Sequence, residues 1–234
     1  MPSFEARSAD PPFMGNGFTG RAGVFNDRRE AGRRLAEAVA RSVEGEECVV
    51  LGLPRGGVPV AEEVARGIGA PLGVVLVRKL GVPWQPELAF GAVSTGGIVV
   101  MNEEIVRAAG LGKDAMDRVI ERERGELERR EEALLGGRPP LPVEGRTAVL
   151  VDDGIATGAT VRAALAALAE RGVRRTVLAC PVAPTETVRV LEREADEVVC
   201  LSTPEPFFAV GAWYRDFSPV SDHEVTEILA RAGS

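Results

Sequence analysis

The chain has 234 residues, enough for one sizeable core with an appendage. Its net charge of −7 argues against a protein that coats nucleic acid, because a phosphate backbone demands positive charge. A single histidine, His223, excludes a multi-histidine metal centre and speaks against a Ser-His-Asp triad. No apolar stretch approaches the length of about 18 residues needed for a membrane span, and none is expected. The opening M-P-S-F-E-A-R-S-A-D lacks the apolar core of a signal peptide, so the expected location is the cytoplasm. Cys48, Cys180 and Cys200 lie in or beside apolar runs without C-x-x-C spacing, which suits buried reduced thiols.

Residues 1–26 are rich in Gly, Pro and polar residues and read as irregular. The G-N-G-F-T-G at Gly15–Gly20 fits a dinucleotide fingerprint by letter only, since no strand precedes it and no clear helix follows. Asp27 caps a predicted helix from Arg28 to about Val43, with Leu35, Ala36, Val39 and Ala40 on its apolar face. Cys48–Gly52 is a short apolar run of the kind found in buried parallel strands. Gly56-Gly57 opens a second helix reaching about Gly67, and Pro71–Val77 is a further strand ending at Arg78-Lys79.

Leu88–Ser94 and Ile98–Met101 flank Thr95-Gly96-Gly97 as a predicted hairpin. From Asp114 to about Leu135 runs a highly charged helix whose apolar positions, Met116, Ile120, Leu127 and Leu134, make a narrow stripe. Such a helix lies on the surface or projects as an arm. Gly136–Gly145 is the most loop-like stretch. Thr147–Val151, a helix over Gly158–Arg171, Thr176–Cys180, a helix near Thr185–Arg193 and Glu197–Leu201 then alternate strand and helix. Alternation of this kind predicts an α/β fold, a twisted and mainly parallel sheet with helices on both faces. After Pro206 the pattern becomes an aromatic-rich loop, F-F-A-V-G-A-W-Y-R-D-F, followed by a short helix from Asp222.

The chemistry concentrates in V-D-D-G-I-A-T-G-A-T, Val151–Thr160. A buried strand delivers Asp152 and Asp153 at its C-terminal end, the edge at which open parallel sheets bind ligands. The loop Gly154, Ile155, Ala156, Thr157, Gly158, Ala159 and Thr160 then leads into a helix. Its amides are unpaired within the helix, the dipole favours an anion, and the small residues let the backbone close around a phosphate. Ionised carboxylates only accept hydrogen bonds, so Asp152 and Asp153 suit two vicinal ribose hydroxyls. The residues alone thus predict a strand–loop–helix site for a phosphorylated sugar.

The same segment resembles the signature of type I phosphoribosyltransferases: four apolar residues (Ala148–Val151), two acidic residues, and a loop ending Thr157-Gly158-Ala159-Thr160. The resemblance covers about a dozen continuous positions in the required strand–loop–helix context. It implies that residues 152–160 bind phosphoribosyl pyrophosphate (PRPP). It also implies that Pro54, Arg55, Gly56 and Gly57 form a pyrophosphate loop, with a cis peptide at Pro54–Arg55, although P-R-G-G alone would be a plain turn. Arg78-Lys79, which holds one of only two lysines, resembles a basic pair that other members direct at pyrophosphate, in some across a homodimer interface.

The implied reaction is Mg²⁺-assisted transfer of 5-phosphoribosyl from PRPP to a nitrogen acceptor, with Asp152 and Asp153 meeting the metal through water. Residues 1–206 are expected to form the core, with 102–145 as helical arm and flap. Residues 207–234 form the hood, to which 1–26 can contribute.

The aromatic segment resembles the base-binding stretch of 6-oxopurine members, which assigns Phe208, Val210 and Trp213 to the base. Ala156, however, stands where those members place a proton-accepting aspartate, and Arg215 or Asp216 replaces another at shifted spacing. Purine is therefore the favoured acceptor with no general base assigned. Arg55, Lys79, Glu103, Glu104 and Asp216 are the candidate catalytic residues. A regulatory protein that senses PRPP or a nucleotide without catalysis is the rival reading, and a nucleotide-cleaving hydrolase a third.

Overall fold

The structure, a computed structural model, describes residues 24–232. The glycine-rich G-N-G-F-T-G segment and most of the irregular N-terminal stretch lie outside the described residues. Five parallel strands form the main sheet: β1 (Cys48–Gly52), β2 (Leu72–Val74), β6 (Thr147–Val151), β7 (Arg175–Val182) and β8 (Glu197–Ser202), in the order β2-β1-β6-β7-β8. Their runs are apolar on both faces because helices cover both. Helices α1 (Arg28–Ser42) and α2 (Gly57–Ile68) cover one face, meeting Val50, Val149 and Val177. Helices α5 (Ala159–Glu170) and α6 (Thr185–Leu191) cover the other, meeting Leu51, Leu150 and Leu178. The expected mainly parallel α/β fold is therefore present.

The chain leaves β1 for β2 on one side and returns with β6 on the other, so the strand order reverses between β1 and β6. In open α/β sheets such a reversal opens a ligand crevice outside the carboxyl ends of the strands. The loops after β1 and β6 are the two that flank it.

A second sheet is antiparallel: β3 (Val77–Val82), β4 (Gln85–Ser94) and β5 (Ile98–Met101). The expected hairpin is there, with Ser94 facing Ile98 across the turn. The strand expected over Pro71–Val77 is instead divided. Only Leu72–Val74 belong to the main sheet, and Arg78 and Lys79 lie near the start of β3 rather than at the end of β2. Helix α3 (Glu103–Ala108), capped by the Asn102 side chain, follows β5.

The charged helix α4 (Lys113–Leu135) does not project. It packs on β3, β4 and the terminal helix α7 (Asp222–Ala232), with Leu127 and Leu134 fully buried. Its inward face runs Val119, Glu123, Leu127 and Leu134, so one inward position is a carboxylate. That is the physical reason the apolar stripe looks narrow in sequence. Helix α7 returns to α2, α4 and β2, burying Val225, Ile228 and Leu229. The three cysteines are free, and Cys180 and Cys200 face each other across β7 and β8. Among the described residues no helix is long and apolar enough to cross a membrane.

Candidate phosphoribosyl site

At the reversal, the Leu53 amide donates to the Val151 carbonyl (2.9 Å), which ties the loop after β1 to the end of β6. The Pro54–Arg55 peptide is cis. Gly57 sits so close to β6 that a Cβ there would lie 2.6 Å from the Val151 oxygen. A Cβ at Gly56 would fall within the Asp153 carboxylate. P-R-G-G and D-D-G, nearly 100 residues apart in sequence, thus form one continuous surface. Arg55 is exposed and has no ion-pair partner among the described residues.

In the loop after β6, the Ile155 amide donates to Val182 (2.9 Å) and its side chain is buried. The Thr187 hydroxyl on α6 donates to the Ala156 carbonyl (2.7 Å), fixing the exposed half of the loop. Gly158 starts α5 at a φ of +74°, a left-handed conformation natural to glycine, and no side chain caps the helix. Uncapped first-turn amides beside exposed Thr157 and Thr160 form a cradle of donors suited to a phosphate.

Asp152 and Asp153 are half-buried at the head of this loop. Burial, reinforced by the neighbouring Asp153 charge, pushes the Asp152 carboxyl well above the ordinary carboxylate range. Burial also raises Asp153, against the opposing hydrogen bond from Arg28. Arg28 Nε lies 2.7 Å from Asp153 Oδ2, and the Tyr214 hydroxyl donates to the Asp153 carbonyl. Neither Arg28 nor Tyr214 is legible as a site residue in the sequence. Arg28 reads there as the first residue of a helix, 125 positions before its partner.

The other expected residues separate into groups. Arg78 is bound to Glu123 of α4 (2.7 and 2.6 Å), whereas Lys79 is exposed and has no ion-pair partner among the described residues. The two side chains of the pair therefore have different surroundings, one tied to α4 and one open to solvent. Glu103 and Glu104 stand exposed on the first turn of α3, which packs on β4. No hydrogen bond or ion pair joins them to either loop among the described residues. Asp216 is exposed, and the Ser218 hydroxyl and amide hold its carboxyl below the usual range.

In the aromatic segment, Val210 lies against Gly154, where a Cβ would collide with it. Phe208 is 83% exposed, and the Trp213 indole nitrogen is buried without a partner among the described residues. Phe25 pairs with this segment through Trp213 and Arg215, so residues from both ends of the chain meet over the loop.

Among the described residues no cluster of three or more His, Cys, Asp or Glu is spaced to hold a metal. Two carboxylates beside a phosphate cradle do fit Mg²⁺, a metal that takes one or two carboxylates and completes its shell with substrate phosphates and water.

A donor cradle and paired carboxylates thus stand together at the strand-order reversal of an α/β protein. Residues 26–215 match the phosphoribosyl transferase domain, and the chain belongs to that family. It is 53% identical over 209 residues to two Mycobacterium tuberculosis proteins, from strains CDC 1551 and H37Rv, each named "Putative phosphoribosyl transferase". The match covers 89% of this chain and 47% of theirs, so the chain spans about half the length of these curated relatives. The crystal structure of TT1426 from Thermus thermophilus superposes with a TM-score of 0.81 at 49% identity, covering 88% of this chain and 98% of that one.

Proposed function

We propose that this chain is a Mg²⁺-dependent phosphoribosyltransferase that moves 5-phosphoribosyl from PRPP to a nitrogen acceptor, a purine-like base. The observation that carries the reading is the contact between the two loops. Asp153 lies over Gly56, so a ligand whose 5′-phosphate occupies the cradle at 156–160 would direct its C1′ pyrophosphate toward Arg55 and the Gly56-Gly57 backbone. In this reading Asp152 and Asp153 accept from the ribose hydroxyls, and Arg55 neutralises charge developing on the departing pyrophosphate. Asp152 and Asp153 would hold Mg²⁺ through water, and the metal would add to the neutralisation of that leaving group. Val210, Trp213 and exposed Phe208 suit the face of a planar base.

A second reading, a PRPP or nucleotide sensor, draws on two observations. Ala156 provides no carboxylate in the loop, and Arg78 is tied to Glu123.

Pyrophosphate release with Mg²⁺ across purine and pyrimidine bases separates the two. Turnover on a purine supports the transferase, and PRPP binding without turnover on any base supports the sensor. In calorimetry the Asp152→Asn/Asp153→Asn variant is expected to lose at least tenfold in PRPP affinity, about 1.4 kcal/mol. Wild-type affinity in that variant removes the carboxylate assignment.

A further inference from the structure

We propose that Arg28 is a positioning residue for the ribose, holding Asp153 so that one carboxylate oxygen is presented to a ribose hydroxyl. The inference rests on the phosphoribosyl-binding reading above.

The guanidinium is fixed in three directions. Its Nε donates to Asp153 Oδ2 (2.7 Å), its Nη1 donates to the Ser218 carbonyl (2.8 Å), and its Cζ lies 3.9 Å from the Phe217 ring centroid. Only 11% of the Arg28 side chain and 14% of the Asp153 side chain are exposed. In such surroundings each charge depends on the other, because an unpaired buried charge is costly.

The contact geometry distinguishes positioning from simple pairing. An arginine whose sole task is to neutralise a carboxylate commonly presents a two-pronged fork that occupies both oxygens. Here the second prong goes to Ser218, and Arg28 engages Oδ2 alone. Oδ1 is the oxygen left to accept from a hydroxyl.

The rest of Asp153 is fixed as well. Tyr214 donates to its carbonyl, with the Tyr214 ring between Phe25 (5.5 Å) and Phe217 (5.0 Å). The Gly56 backbone closes against the same carboxylate. Helix α1, the hood and the P-R-G-G loop therefore converge on one aspartate. Arg28 supplies the only ion pair that Asp153 makes among the described residues.

The test compares two probes by titration on wild type, Arg28→Met and Arg28→Lys. Ribose 5-phosphate needs both the carboxylates and the cradle, whereas inorganic phosphate needs the cradle alone. Arg28→Met is expected to lose at least about tenfold on ribose 5-phosphate while inorganic phosphate changes less than about twofold. Arg28→Lys recovers part of the loss, since an ammonium can still donate to Oδ2. Should Arg28→Met not fold, Arg28→Lys carries the same split at about threefold. Equal losses on both probes in a folded variant would mean that Arg28 merely supports the whole loop, and they overturn the inference. Unchanged ribose 5-phosphate affinity overturns it too. Wild type that binds inorganic phosphate but not ribose 5-phosphate removes the phosphoribosyl reading, and the inference with it.

Discussion

Gly56 has φ −62° and ψ −33°, values that any residue adopts, so backbone freedom does not explain the glycine. The constraint is spatial, since a methyl group there takes the place of the Asp153 carboxylate. Asp153 has little room to yield, because Arg28 holds its carboxylate and Tyr214 its carbonyl. Gly56→Ala is therefore expected to fold and to bind PRPP at least tenfold more weakly, about 1.4 kcal/mol, as read by calorimetry. Wild-type affinity would show that the carboxylate can shift without loss of its contacts. At this scale the sequence is informative where residue types follow a recognisable local motif, as at Asp152–Thr160. It is silent where a partner is distant, as at Arg28, whose role depends on a contact that no local pattern records.

Among the elements, those whose burial follows their own periodicity are legible in sequence. Helix α1 begins at Arg28 behind the Asp27 cap, and β6 occupies Thr147–Val151, both as the pattern predicts. Strand β3 is harder to see because Arg78 and Lys79 interrupt its apolar run, and α4 because Glu123 occupies one of its inward positions. The two difficulties share one contact, since Arg78 and Glu123 are partners.

Burial pushes the Glu123 carboxyl up, but hydrogen bonds from Arg78 and Arg122 outweigh it and leave the group below its ordinary value. Folding thus lowers this pKa, and in acid the unfolded chain binds the proton more readily. The stabilisation is complete above the unfolded value of about 4.3 and is lost as pH falls through the lower folded one. In urea unfolding, the advantage of wild type over Glu123→Gln is expected to be constant above about pH 5 and to shrink below about pH 4. An advantage that does not change across this range would show that the ion pair contributes no pH-dependent stability.

For the whole molecule, alternating strands and helices already imply a parallel sheet, but strand order is a matter of long-range pairing. That β1 lies beside β6, and that the two loops therefore touch, is visible only in the fold. The same holds for the aromatic segment after Pro206, where Phe25 joins Trp213 and Arg215 from far away in sequence. This closure brings aromatic residues over a polar site, and exposure separates those that pack from those free to meet a ligand. Tyr214 is buried, whereas Phe208 is 83% exposed and contributes little to the core. Phe208→Ala should accordingly leave unfolding stability within about 0.5 kcal/mol of wild type, as expected for a surface position. Its affinity for a purine nucleoside monophosphate should nevertheless fall about two- to tenfold, the loss of one aromatic contact. Chemical unfolding and ligand titration on the same variant read the two quantities independently. A stability loss with unchanged affinity would return Phe208 to a packing role and leave Val210 and Trp213 to receive the base.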